Sequence, residues 1–292
     1  MSTVVLNGLF VGLVYGLLAV GLVVIYRTSR IVNFAYGETG MLATFAYFDL
    51  RLGTNTSTFT RDHGVAVALP TALVIGAAIG VAMELLIARP LRGNPTLNGM
   101  VGTIAAGLLF ITFAVHRWGI EVRPVKPLVE GAGVRVLGLT VSPSQLLIGA
   151  CTAVILGGLG VLYRFTSLGL RLRATALNPY AAALSGINTN ATSMLTWAMA
   201  GALSALSGVL IAPLVAVNVF FMTLLTLRAF AAALVGGLTS IWGGFLAGVL
   251  LGVAESVVAF KSPVAGITDA VIALGMIVLV MVRPGGLVRA DY

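Results

Sequence analysis

The stretch Val4-Val5-Leu6-Asn7-Gly8-Leu9-Phe10-Val11-Gly12-Leu13-Val14-Tyr15-Gly16-Leu17-Leu18-Ala19-Val20-Gly21-Leu22-Val23-Val24-Ile25-Tyr26 carries no charge and is stopped by Arg27 and Arg30. It exceeds the ~20 apolar residues that a helix needs to cross a bilayer. It is too long for a signal-peptide core, and Met1-Ser2-Thr3 is not a basic leader, so it reads as a retained transmembrane helix. The same pattern recurs at residues 33–50, 65–88, 96–115, 143–163 and 194–217, then in two runs at 226–241 and 243–260, and last at 267–282. The run at 226–241 is short enough to be a re-entrant or broken helix. The expectation is an all-α, polytopic integral membrane helix bundle of roughly eight or nine spans. Residues 1–292 form a single transmembrane domain, with a cytoplasmic loop at 164–190 and an extracytoplasmic loop at 116–142.

Composition agrees. Charged residues are 9% of 292, and the hydrophobic fraction is 59% before 36 glycines are added. A soluble domain carries about 25% charge and could not cover so much apolar surface with polar groups. Soluble enzymes, disordered chains and nucleic-acid binders are thereby excluded, despite a net charge of +8. The basic residues sit in short gaps between apolar runs, as in the cytoplasmic loops of membrane proteins.

Alternation places Arg27/Arg30, Arg89/Arg92, Arg164/Arg171/Arg173 and Arg283/Arg289 on one side, where only Asp291 is acidic. Asp62, Glu121 and Glu130 fall on the other. The arginine-rich side, with residues 164–190 and the C-terminus, is read as cytoplasmic, and with nine crossings the N-terminus faces out. Prolines and alternating Val/Leu in 116–142 suggest a short hairpin or lid. Gly8/Gly12/Gly16, Gly76/Gly80 and Gly244/Gly248/Gly252 have the spacing of closely packed helices. In the last two runs such glycines favour another helix surface, most simply that of a partner subunit.

Several chemistries lack their residues. Lys126 precedes Pro127 and Lys261 follows Phe260, so neither ends a Gly-Lys-Ser/Thr phosphate loop. His63 and His116 fall in expected outer loops, and neither has a His or Cys at ligand spacing, so no metal site is expected. The single Cys151 reads as a small apolar residue. No Gly-x-Ser-x-Gly elbow is present.

Ionisable groups inside spans are costly and commonly functional. Glu38 lies in Asn33-Phe34-Ala35-Tyr36-Gly37-Glu38-Thr39-Gly40. On a helix, Asn33, Gly37 and Gly40 share a face at i, i+4 and i+7. Asn33, Gly37 and Glu38 therefore either line a substrate pathway or gate, or simply start a helix. Glu84 is spaced to pair with Arg89, while Glu255 and Asp269, with Lys261 between them, read as an interfacial ion pair. Within 164–190, Asn178 followed by Pro179 is a helix start, and Gly186 ends that helix. So short a helix is marginal alone and would be held by a groove on a partner, or else is an idle connector.

Tyr180-Ala181-Ala182-Ala183-Leu184-Ser185-Gly186-Ile187 resembles the Glu-Ala-Ala-x-x-x-Gly loop of bacterial ABC importer permeases, and Gly169-Leu170-Arg171-Leu172-Arg173-Ala174-Thr175-Ala176 resembles its lead-in. Ile31-Val32-Asn33-Phe34-Ala35-Tyr36-Gly37-Glu38 and Arg228-Ala229-Phe230-Ala231-Ala232-Ala233-Leu234-Val235-Gly236-Gly237-Leu238-Thr239-Ser240-Ile241-Trp242-Gly243-Gly244 extend the match in order along nearly the whole chain. Together they resemble the H-type permease subunit of branched-chain amino acid uptake systems. Tyr180 stands where that family usually has Glu. The resemblance implies a multi-pass importer subunit of the bacterial inner membrane. It would be partnered by a second permease, two cytoplasmic ABC ATPases that hold ATP and magnesium, and an extracytoplasmic substrate-binding protein. Arg171, Arg173, Pro179, Tyr180, Ala181, Ala182 and Gly186 would couple this chain to the ATPases. No cofactor is expected in the chain itself. Relatives that carry urea, short amides or aromatic acids supply alternative substrates; an ATP-independent secondary transporter is the alternative of a different class.

Overall fold

In hydrocarbon a segment must satisfy its own backbone hydrogen bonds, and the apolar runs accordingly become helices. The computed structural model describes residues 1–52, 64–122, 125, 128, 129, 131, 133–136, 139–215, 217–261, 266, 270, 271, 273–275, 278 and 281. The helices are α1 (Ser2–Ser29), α2 (Tyr36–Leu52), α3 (Val65–Met83), α4 (Thr96–Trp118), α5 (Pro143–Phe165), α6 (Ser167–Leu177), α7 (Pro179–Leu184), α8 (Thr189–Ile211), α9 (Phe221–Gly236) and α10 (Ile241–Lys261). A π-helical turn, Glu84–Ala88, continues α3, and a 3₁₀ turn, Ala212–Leu214, continues α8.

Among the described residues, six helices are long and apolar enough to cross a membrane. The expected eight or nine spans are thus met in part. Helix α2 has 17 residues and α9 has 16, and Asp49 and Arg51 lower the hydropathy of α2. The expected span at 267–282 lies mostly outside the described residues, as do His63, Asp62, Lys126, Glu130, Asp269, Arg283, Arg289 and Asp291. Helix α8 begins five residues before its expected start, because Asn188 caps it by accepting from the Ala191 amide at 3.0 Å. His116 is exposed in the last turn of α4 and not in a loop. In the 116–142 segment β1 (Val134–Val136) pairs antiparallel with β2 (Leu139–Val141), Arg135 opposite Thr140, which is the expected hairpin.

The chain divides into two compact units. The first comprises residues 1–23, 126–153 and 224–292. Here the glycine rows of α1 and α10 face each other. A Cβ on Gly12 would lie 2.6 Å from the Val249 carbonyl oxygen, and one on Gly16 would lie 2.6 Å from the Phe245 ring. A Cβ on Gly248 would lie 2.5 Å from the Gly16 amide nitrogen. The expectation that the glycines of the last runs serve a partner subunit is therefore corrected: Gly248 and Gly252 are covered by α1 of the same chain.

The second unit comprises residues 24–125 and 154–223. Its centre is α2, α3 and α8 packed on one another. Gly76 lies on the Gly201 carbonyl, Gly80 on the Trp197 carbonyl and Gly40 on Ser204, so backbones touch where side chains would intervene. Ser204 Oγ donates to the Tyr36 carbonyl at 2.6 Å, adding a polar clasp between α8 and α2.

Candidate functional site

The approach to α2 is laid along one stripe of α4. Gly99, Thr103 and Gly107 recur every fourth residue and are buried. Thr103 Oγ1 accepts from the Phe34 amide at 3.2 Å and lies 3.3 Å from the Val32 carbonyl. Gly99 makes room for Ile31, and Gly107 lies against Ala35 and the Glu38 carboxyl at ordinary contact distance. The sequence signal for this stripe is the four-residue spacing of Gly99, Thr103 and Gly107.

Asn33, Gly37 and Glu38 are all buried. Asn33 is not on a helix: α2 starts at Tyr36, so the expected face shared with Gly37 and Gly40 does not exist. The Asn33 side chain instead accepts from the Ala35 amide at 3.0 Å, a local turn that competes with helix and fixes the entry of α2. Glu38 is in the first turn of α2 and 4% exposed. Its Oε1 accepts from Thr223 Oγ1 at 2.8 Å, and Oε2 has no hydrogen-bond partner among the described residues. The neighbourhood thus holds a buried carboxyl group with one hydroxyl partner and no cation among the hydrogen bonds of the described residues.

A second polar centre belongs to the first unit and joins three helices. Tyr15 of α1 donates to Glu255 Oε2 of α10 at 2.9 Å. Arg228 of α9 donates to the Tyr15 hydroxyl at 3.0 Å and lies 3.0 Å from Glu255 Oε1. Arg228 and Glu255 are paired by geometry across a chain separation that their spacing could not reveal. Of the expected neighbours of Glu255, Lys261 is exposed at the end of α10 and Asp269 lies outside the described residues.

A third centre lies at the foot of α3. Glu84 is fully buried and binds Arg89 at 3.1 Å and also Arg92. The Glu84–Arg89 spacing had pointed to this pair. Arg92 and the π turn were not legible. In that turn the Arg89 amide reaches the Glu84 carbonyl at 2.7 Å, a five-residue step. Arg92 also donates to Asn190 in the first turn of α8.

Residues 164–190 hold two short helices. Thr166 caps α6 by accepting from the Gly169 amide at 3.0 Å, and Gly169 sits against the backbone of Leu162 and Tyr163 at the end of α5. Arg30 donates to the Ala176 carbonyl near the other end of α6 at 3.4 Å, a cation on a helix C-terminus. Asn178 caps α7, its side chain accepting from the Tyr180 and Ala181 amides at 3.0 Å each, with Pro179 at the first position. At the far end the Gly186 amide reaches Ala183 and the Ile187 amide reaches Ala182, each at 3.0 Å, with Gly186 at φ 80°. This is a glycine-ended Schellman stop. Arg171, Arg173, Pro179, Tyr180, Ala181 and Gly186 are exposed, whereas Ala182 is buried. Leu170, Leu177, Tyr180 and Leu184 are apolar and outward-facing.

Apolar helices that keep carboxylates and arginines buried or partnered are the build of a polytopic membrane transport protein. Among the described residues no group of three His, Cys, Asp or Glu side chains could hold a metal ion. Comparison with known proteins is specific. The chain belongs to the branched-chain amino acid transport system permease component family, which matches residues 4–281. It is 31% identical to the high-affinity branched-chain amino acid transport system permease protein BraD of Pseudomonas aeruginosa, over 96% of this chain and 93% of that one. It is 28% identical to the LivH permease proteins of Salmonella typhimurium and Escherichia coli, over 86% of this chain and 83% of each relative. No solved structure matches. The chain is a multi-pass permease of the inner membrane, and the resemblance to the H-type subunits holds.

Proposed function

We propose that this chain is the permease subunit of an ABC importer that carries leucine, isoleucine, valine or closely related amino acids into the cell. The reading is supported by relatives named for that transport along almost their whole length. A second permease, two ATPases and an external binding protein complete the machine. ATP and its magnesium belong to the ATPase subunits.

The observation that carries the mechanism is the α6–α7 segment, built from local caps and presenting Leu177, Tyr180 and Leu184 to the outside. A helix of six residues keeps its shape here because both ends are satisfied within the chain. It can therefore move as a rigid knob when an ATPase groove moves. The expected Glu contact is replaced by the Tyr180 ring, so docking relies on apolar area more than on an ion pair. Inside the membrane, Asn33, Gly37 and Glu38 border the pathway or its gate. The two access states differ in how these groups are exposed, and ATP biases the equilibrium between them.

The test is ATP hydrolysis and leucine uptake by the complex reconstituted in liposomes with its binding protein. Gly186→Val places a β-branched residue at positive φ, which is strained in any surroundings. The variant complex should assemble yet lose substrate-stimulated hydrolysis by about tenfold or more, equivalent to ~1.4 kcal/mol of coupling. Full stimulation in an assembled Gly186→Val complex would refute the coupling role. Gradient-driven leucine uptake by the chain without ATPases would refute the importer reading.

A further inference from the structure

We infer that Arg92 is a positioning residue for transport: it ties the coupling end of α8 to α3, so that the two helices carry the motion of α7 to the start of α2 as one body. The inference rests on the coupling role of α7 and adds the path by which that motion reaches the buried Glu38.

Gly76, Gly80 and Glu84 follow one another at four-residue spacing along one face of α3 and its π turn. That face lies on α8. A Cβ on Gly76 would meet the Gly201 carbonyl, and one on Gly80 would meet the Trp197 carbonyl. Next in line, the fully buried Glu84 holds Arg92, which also donates to Asn190 of α8. Gly201, Trp197 and Asn190 share one side of α8 and receive the α3 face in reverse order. The first two contacts set backbone against backbone, with no side chain to repack when one helix is pushed. The third is ionic and closes the seam at the end where α8 follows the coupling segment.

The π turn makes the third contact possible. On a regular helix Glu84 and Arg89 would point roughly 140° apart. The five-residue step from the Arg89 amide to the Glu84 carbonyl carries Arg89 back over Glu84. Arg92 follows one short turn later, its amide 3.3 Å from the Arg89 carbonyl. Arg89 binds Glu84 within its own segment, whereas Arg92 spans from Glu84 to α8. The two arginines therefore share an anion and differ in whether they cross to another helix.

Both ends of this pair of helices meet the parts that must move. Four residues, 185–188, separate α7 from α8, and the link is tied within the chain. The Ile187 amide reaches the Ala182 carbonyl, and the Asn188 side chain holds the Ala191 amide. Further along α8, Ser204 donates to the Tyr36 carbonyl at 2.6 Å, and Gly208 lies against Thr44. Tyr36 begins α2, two residues before Glu38. A push on α7 therefore enters α8 at its capped start. With Arg92 in place, α3 moves with α8, and α2, which packs on both, slides at its buried start. Without Arg92 the first turns of α8 part from α3, and the push ends there.

The experiment uses the full complex reconstituted in liposomes with its binding protein. Leucine uptake and ATP hydrolysis are read together as ATP consumed per leucine, beside the melting midpoint of the same complexes in detergent. Arg92→Gln should assemble and raise ATP per leucine by about tenfold or more. Arg92→Lys, which keeps the charge, should recover part of the coupling. Asn190→Ala should uncouple as Arg92→Gln does, and the double variant should be no worse than either, because both break one link. Arg89→Gln is the control: it takes a guanidinium from Glu84 but leaves the crossing to α8, so its ratio should stay near wild type. The midpoint should fall no further in Arg92→Gln than in Arg89→Gln. If Arg92→Gln does not assemble, Asn190→Ala decides, since it leaves the Glu84 cluster whole. A wild-type ratio in the Arg92 and Asn190 variants would overturn the inference. Equal uncoupling in Arg89→Gln, or uptake that falls only in step with the midpoint, would overturn it too and leave the cluster as a structural support. If the wild-type complex does not couple leucine uptake to ATP, or Gly186→Val leaves stimulation intact, the underlying reading fails. If wild type couples and Gly186→Val uncouples while the Arg92 and Asn190 variants match wild type, only this inference fails.

Discussion

Glu84 and Glu38 are equally hidden from solvent, yet they are housed in opposite ways. Glu84, at the foot of α3, is 0% exposed and is held by Arg89 and Arg92. Glu38, at the start of α2, is 4% exposed and is held by one neutral hydroxyl from Thr223. A carboxylate with two guanidinium partners is already committed, and its exchange for another ligand would strand two cations. A carboxyl group with one hydroxyl and one free oxygen can accept a new partner at small cost. Burial alone does not mark a functional acid; the chemistry of its partners does.

The comparison is broken most forcefully at Glu84. Replacing it with Ala removes the anion shared by two arginines. Those arginines are 37% and 31% exposed and can turn toward water. The expected loss is therefore about 2–3 kcal/mol, below the ~3–5 kcal/mol for a fully buried pair. Melting of the purified complex in detergent should show it, together with a lower yield. A variant as stable as wild type would mean that Glu84 is not structural. Gln at this position should recover only part, because an amide accepts from arginine without its charge.

How far these sites were legible follows from the distance between partners. Glu84 and Arg89 are five residues apart, and helical spacing pointed to their pairing. Arg92 was hidden because a π turn at Glu84–Ala88 changes the angular step that spacing assumes. Asn178-Pro179 and Gly186 were readable because a cap is a local structure, and each does what its residue type prescribes. Most spans were readable because a run of about 20 apolar residues has one stable form in lipid. Two of the boundaries that differ from their expected positions have local reasons. The start of α8 is fixed by Asn188, and α9 stops at Gly236, before Gly237 at φ 96°. The Tyr15–Glu255 and Tyr15–Arg228 contacts join residues 240 and 213 positions apart. No period or spacing reports such contacts. Likewise the glycine rows of α1 and α10 announced close packing but not their partner.

A smaller effect is expected on the other side of the comparison. Thr223→Val keeps the shape of the side chain and removes the donor to Glu38. Leaving a buried acceptor unsatisfied costs about 1–3 kcal/mol. Thr223→Ser should restore stability, since it restores the hydroxyl. If Val and Ser variants melt together, the 2.8 Å bond contributes nothing and Glu38 has another anchor.

The smallest change in stability is expected for Glu38→Gln, and it separates the two acids most sharply. The amide carbonyl can accept the Thr223 hydroxyl as Oε1 does now, and no cation loses its partner. The folded complex should stay within ~1 kcal/mol of wild type, the scale of one neutral hydrogen bond. Transport should still fall, by about tenfold on the scale of a missing charged contact, because the free oxygen offered to a passing solute loses its charge. Cysteines placed singly at positions 33, 37 and 38 supply the control for location. At least one should react with a water-soluble thiol reagent in either the ATP-bound or the ATP-free state. Normal leucine uptake by Glu38→Gln, with all three cysteines inert in both states, would move Glu38 to the structural class of Glu84. Loss of uptake without loss of stability would place it with the groups that meet the cargo.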